Sequence, residues 1–221
     1  MRDTRPISWL KGARKDFEDF PQGAQLEMAR ALTVLAEGRM PDIAKPLTGL
    51  GSGVMELALK YRGDAFRVVY ALQIDDDIWV VHAFQKNIEE RDQDTQTGDR
   101  PDPRSAETTE GDAEMSDDMD IIRGSGNVFR DLGQPDADRE QLRALLAAKI
   151  IGVLDDRKLT VRAAHEVTGV AAADFSRIRK VNLGRFTIDR LMTILANLGQ
   201  EVEVTVNVHP HRTTAPMELR P

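Results

Sequence analysis

Residues 160–180 read TVRAAHEVTGVAAADFSRIRK, and their spacing decides how the last third of the chain folds. Thr160 is a residue type whose hydroxyl caps a helix, and it stands directly before a short run with apolar residues at helical spacing. Gly169 then offers the left-handed turn that lets a second helix start at an angle to the first. With Ala163, Ala164, Val167, Val170, Phe175 and Ile178 turned inward, this spacing predicts a helix-turn-helix. In such a unit the second helix lies in the major groove of a duplex while the first crosses its backbone. The second helix, residues 171–180, offers Ser176, Arg177, Arg179 and Lys180, and Asn182 and Arg185 follow in the next loop. Cations and short polar groups of this kind suit phosphates and base edges. Thr160, at the start of the first helix, joins the candidate DNA contacts.

Outward from this unit the pattern stays helical. Residues 137–156 (ADREQLRALLAAKIIGVLDD) predict a long helix with Asp136 as its cap behind Pro135, and Thr187 caps a last helix that ends at Gly199. The alternation in EVEVTVNV, residues 201–208, predicts a half-buried strand. At the other end, residues 9–20 and 22–37 show helical periodicity interrupted by Pro21 and Gly23, which reads as a helical hairpin. Pro41, Pro46 and the glycines at 49–53 read as loop. Strand-like runs then occupy 54–61, 66–73 and 78–85, with turn signals at Gly63-Asp64 and at the aspartates 75–77. Two helices followed by a small antiparallel meander is an α+β layout in which the helices cover one face of the sheet.

The net charge of -7 over 221 residues conceals three regimes. Residues 1–88 are balanced, residues 89–120 carry 3 basic and 13 acidic groups, and residues 121–221 carry 15 basic and 12 acidic groups. The middle segment has almost no large apolar side chain, so it cannot bury enough surface to offset its ordering entropy, and it reads as an acidic linker. The mildly basic last third suits a nucleic-acid partner. No apolar run is long enough to span a bilayer, and no secretory leader opens the sequence. The chain contains no cysteine, which removes disulfides and thiolate metal sites and fits a cytoplasmic setting. No cofactor or metal is expected. The expected division is 1–88, a linker at 89–118, 119–208, and a flexible tail at 209–221.

GSGNVFRDLG at 124–133, the helix pair, and GRFTIDRLMTILANLGQEVEV at 184–204 together resemble the HigA-type antitoxins of the Xre superfamily. The resemblance covers nearly all of 119–208. It implies a homodimer that binds a palindromic operator and represses its own gene. Where relatives carry Gln and a basic residue early in the recognition helix, this chain has Ala172 and Asp174, which shifts the expected base readout to Ser176, Arg177 and Arg179.

The N-terminal half carries a second resemblance. KPLTGLGSGVMELALKYRGDAFRVVYALQIDDDIWVVHAFQK at 45–86, behind the helical hairpin, is similar to the HigB-like, phage-derived branch of the RelE toxin superfamily. The resemblance implies a ribosome-dependent messenger RNA endoribonuclease (an mRNA interferase) that works without metal. Such chemistry needs a base for the 2′-hydroxyl, cations for the charge that develops on phosphorus, and an acid for the departing 5′-oxygen. Matching the family pattern places these roles on Lys60, Arg62, Arg67 and Lys86, with Tyr70 and His82 as further candidates. Read simply as strand residues, His82, Tyr70, Trp79 and Phe84 are packing groups, Lys60 and Arg62 are edge charges, and Glu56 is structural. Ala58 stands where some relatives have a basic residue.

The family's basic tail is missing after Lys86, and the acidic segment replaces it. Codons can be chosen for residues 92–115 so that the frame one nucleotide later reads IKTPKREIDLIREALKRLKEML, which is similar to that tail. The expectation is therefore a toxin and antitoxin fused by a frameshift, with weak ribonuclease activity. Its rival is a plain helix-turn-helix regulator whose N-terminal half is a degenerate oligomerisation domain.

Overall fold

Ile7, Ser8 and Trp9 are buried in a strand, β1 (Ile7–Leu10), and not in the opening turn of a helix as the periodicity from Trp9 suggests. In the computed structural model, which describes residues 4–47, 53–74, 77–86 and 120–205, β1 lies parallel to the third meander strand. Four residues are too few to separate period 2 from period 3.6, and the ladder Ile7↔Ile78, Ser8↔Trp79, Trp9↔Val80 decides the conformation. Helix α1 (Lys11–Glu18) follows directly, and Pro21 stands at the N-cap of α2 (Gln22–Ala36).

The loop expected near Pro46 contains a short edge strand, β2 (Ala44–Pro46), paired with β3 (Val54–Tyr61). Strands β4 (Asp64–Ile74) and β5 (Asp77–Lys86) complete the meander. The β3–β4 connection is the two-residue loop Arg62-Gly63, with φ of 52° and 99°. Two positive φ values in succession match the twist of the flanking strands and close a tight hairpin. Leu57, Phe66, Val68, Tyr70, Ile78 and Val80 share one face of the sheet and are fully buried beneath α1 and α2. Phe20 meets Phe66 with ring centres 4.9 Å apart.

The C-terminal half contains α3 (Val128–Asp131), α4 (Ala137–Asp156), α5 (Val161–Thr168), α6 (Ala172–Arg179) and α7 (Ile188–Asn197). Asn127, Thr160 and Thr187 cap α3, α5 and α7 through their side chains. Asp136 does not cap α4. It adopts a left-handed conformation (φ 57°) and its carboxylate binds Arg139 instead. Gly169 (φ 71°) ends α5, where its N–H donates to the His165 carbonyl. Val167 faces outward, 64% exposed, and not into the core. The strand expected from residue 201 is absent from 201–205, where no sheet edge pairs with the backbone; the remainder, like the acidic segment and the tail at 209–221, lies outside the described residues. No helix among the described residues is long and apolar enough to cross a membrane.

The sheet has six strands in the order β2-β3-β4-β5-β1-β6, and the sixth comes from the C-terminal half. Strand β6 (Ile121–Ile122) pairs antiparallel with β1. The Lys11 N–H donates to the Asp120 carbonyl at 2.8 Å. Gly124 sits so close to β1 that a Cβ there would be 2.3 Å from the Ile7 carbonyl oxygen.

Helix α2 is apolar on nearly every side, the pattern of a helix buried all round. One side packs on β3 and the sheet, and the other packs on α4. Between α2 and α4 lies a desolvated ion pair, in which the Arg30 Nε and a terminal nitrogen both donate to one Glu140 oxygen (3.0 and 2.7 Å) while Arg143 binds the other (2.8 Å). The side chains of Arg30 and Glu140 are 3% and 6% exposed. At the rim Arg39 forks onto Asp156 at 2.8 and 3.1 Å, lying across Gly152, and Lys149 reaches Glu37 at 2.7 Å. One contiguous set of buried side chains therefore runs through both halves.

Candidate nucleic-acid interfaces

The strand registers place four of the six candidate RNA-side residues on one surface. Three rows cross the outward face of β3, β4 and β5: Lys60, Ala65 and Lys86; then Ala58, Arg67 and Phe84; then Glu56, Val69 and His82. Lys60, Lys86 and His82 are exposed, and Arg67 is half-buried between them. Arg67 holds Glu56 diagonally at 3.4 Å, so that carboxylate serves as the arginine's partner. His82 stacks on Phe84 with ring centres 5.1 Å apart and planes 27° from parallel. Phe84 is thus half-exposed beside a cationic row, a place where it can meet a planar ligand.

Arg62 lies at the hairpin tip with its guanidinium 5.4 Å from the Tyr61 ring centre. It sits next to the Lys60–Lys86 end of the face but belongs to no row. Tyr70 is not brought to this surface. It lies on the opposite side of β4, 0% exposed beneath the helices, with its hydroxyl 4.0 Å from the Met40 sulfur. Burial raises its pKa well above the ordinary phenol value, so the ring is held neutral and dry. The register makes this legible: Tyr70 and Arg67 are three residues apart, on opposite faces of a pleated strand.

The second surface is built by α5, α6 and the loop to α7. Phe175 and Ile178 anchor α6 inward, while Ala173 and Lys180 are exposed and Ser176 and Arg177 half-exposed on its outer side. Val181, Leu183 and Phe186 pin the following loop, and this leaves Asn182 and Arg185 in solvent. Thr160 is exposed at the start of α5, and its hydroxyl accepts from the Ala163 N–H at 3.2 Å.

Arg179 stands apart from these groups. Its guanidinium donates to Asp42 at 3.1 Å and to Asp155 at 2.8 Å, and its carbonyl accepts from the Asp42 N–H at 2.8 Å. The end of the recognition helix is thereby tied to the loop before β2. Sequence reasoning also passed over Arg190, in the first turn of α7, which faces Asp174 of α6 at 3.7 Å. Three positions of spacing from Thr187 mark nothing but a helix start, so only the approach of Arg190 to Asp174 of α6 reveals it.

Residues 15–97 match the family model described as phage derived protein Gp49-like, and residues 128–207 match the one described as a helix-turn-helix domain. Neither spans half of the chain, and the paired strands β1 and β6 fall outside both. No curated protein and no solved structure matches the chain.

Proposed function

We propose that the chain is a fused toxin–antitoxin protein, in which a HigA-like half of Xre type binds operator DNA and represses its own gene while holding a HigB-like endoribonuclease half in check. The observation that carries this reading is the presence of two cationic surfaces in one chain, one on a sheet and one on a helix-turn-helix, in the order of the two family matches. The DNA side is carried by Ser176, Arg177, Lys180, Asn182 and Arg185, with Thr160 at the edge. Arg179 serves the docking of the two halves. A homodimer on a palindromic site is the functional unit.

On the RNA side, the 2′-hydroxyl of a bound messenger gives its proton to a base and attacks the neighbouring phosphorus, which closes a 2′,3′-cyclic phosphate, and the 5′-oxygen of the next nucleotide leaves with a proton from an acid. His82 is the titratable group placed to move a proton there, and Lys60, Arg67, Lys86 and the nearby Arg62 offset the charge that develops on the phosphate oxygens. No metal is needed for this step. Among the described residues the C-terminal half packs on α2, pairs with β1 at the sheet edge and reaches the loop before β2 through Arg179, while Lys60, His82 and Lys86 stay exposed, so the check on activity is assigned to something other than α4–α7 covering the cationic face. A segment with ten more acidic than basic groups begins at residue 89, three positions beyond Lys86, and repels RNA from that face.

Purified full-length protein added to a translating extract is expected to cut a reporter messenger slowly or not at all. Degradation as fast as that given by a free toxin of this family contradicts the neutralised state. The rival reading, a regulator with a degenerate N-terminal half, is favoured by the Arg67–Glu56 pair and by Ala58 in the same row. Residual cleavage that vanishes in Arg67→Ala supports the toxin reading; no cleavage in any preparation, with tight DNA binding, supports the regulator.

A further inference from the structure

An aspartate in a helix that lies in the major groove is at odds with a polyanionic partner, yet Asp174 occupies the first turn of α6. Its position explains the conflict. The side chain turns away from the outer surface, only 13% exposed, and its two oxygens divide between two elements. Oδ1 accepts from Arg177 at 3.2 Å, one turn along α6, and Oδ2 faces Arg190 of α7 at 3.7 Å. Both arginines keep 41% and 46% of their side chains in solvent. Phe175 and Ile178 anchor the helix that presents Asp174, and the Thr187 cap fixes the start of the helix that presents Arg190.

We propose that Asp174 is a positioning residue for DNA, holding the guanidinium groups of Arg177 and Arg190 side by side so that Arg190 becomes a further backbone-phosphate contact of this surface. The inference rests on the DNA-binding reading above. Arginine presents a planar fork that binds phosphate in a defined geometry, and a long side chain loses its rotamer freedom on binding unless that freedom has already been removed. A carboxylate that accepts one hydrogen bond from Arg177 and stands at ion-pair distance from one terminal nitrogen of Arg190 restricts both in advance, while their remaining N–H groups stay available. Charge alone predicts the reverse, since an anion close to the phosphates weakens binding.

The opposed signs make the test decisive. Full-length protein is titrated with a labelled duplex from the region upstream of its own gene, over a range of salt, with melting temperature measured for each variant. Asp174→Asn is expected to weaken binding roughly tenfold although it removes a negative charge. Arg190→Ala weakens binding in the parent chain and lowers the salt slope by about one, but costs little further in an Asp174→Ala background. Unchanged or tighter binding by Asp174→Asn, or an unchanged affinity and slope for Arg190→Ala, overturns the proposal. Should Asp174→Asn fail to fold, the Arg190→Ala result alone decides, because that side chain is half-exposed. If the parent chain does not bind the duplex, the DNA-binding reading has failed and the positioning role falls with it, an outcome separate from the variant results.

Discussion

Glu27, on α2, illustrates how far a single side chain can be read. Burial raises the pKa of its carboxyl and the Arg30 guanidinium lowers it, with a net upward shift. The folded chain therefore holds this proton more tightly than the unfolded chain, and stability falls as pH rises from the ordinary carboxylate range through the folded-state value. Replacing Glu27 by Gln should raise the melting temperature at neutral pH and leave it unchanged in acid. A melting profile for the variant that parallels the parent at all pH values contradicts this. None of this is visible in the sequence, because Glu27 is helix-compatible wherever it points. Lys60, Arg67, Lys86 and His82 were named from the family pattern, and it is the strand register that puts these four on one face. Tyr70 was assigned by family pattern without that register, and the pleat sends it to the core.

At the scale of elements, the bounds of α4 to α7 were readable nearly to the residue, since the Thr160 and Thr187 caps, a glycine turn and long apolar periodicity agree with one another, although Asp136 does not cap α4. Strands β1 and β6 were not: four residues and two residues carry no period, and each is set by its partners, β1 by β5 and β6, and β6 by β1. The described part of the terminal alternation, 201–205, shows the converse, a strand pattern that pairs with no strand among the described residues. Helix α2 joins the halves, and its buried arginine is the most sensitive point of that contact. Arg30→Ala strands Glu140 with only Arg143 beside it and should cost about 3 kcal/mol in chemical denaturation; a loss within about 0.5 kcal/mol rules out a desolvated pair. Gly124→Ala forces β6 off β1 and should destabilise by roughly 1–3 kcal/mol, with loss of hydrogen-exchange protection at Lys11, whose N–H depends on Asp120. Protection equal to the parent means that β6 does not hold that edge.

For the whole molecule, one contiguous core joins the half that carries the helix-turn-helix to the half that carries the Gp49-like match. Docking through α2 and β6 leaves Lys60, His82 and Lys86 of the outward sheet face exposed among the described residues. The order of the two halves was legible from composition and motif, whereas the shared core was not. Apolar residues on every side of α2 look, in sequence, like an ordinary core helix. The nucleotide sequence carries its own test of the fusion: the frame one nucleotide beyond that of residues 92–115 is expected to be open and to encode a basic helix, and stop codons within it refute the frameshift origin. The claim on which the rest depends is that the C-terminal half grips DNA at its own gene. Footprinting with full-length protein on a duplex carrying the upstream region measures this most directly. Two protected patches about one helical turn apart, about 10 base pairs, and lost in Lys180→Ala with Arg185→Ala, are predicted; an even cleavage ladder with folded protein in excess contradicts the account.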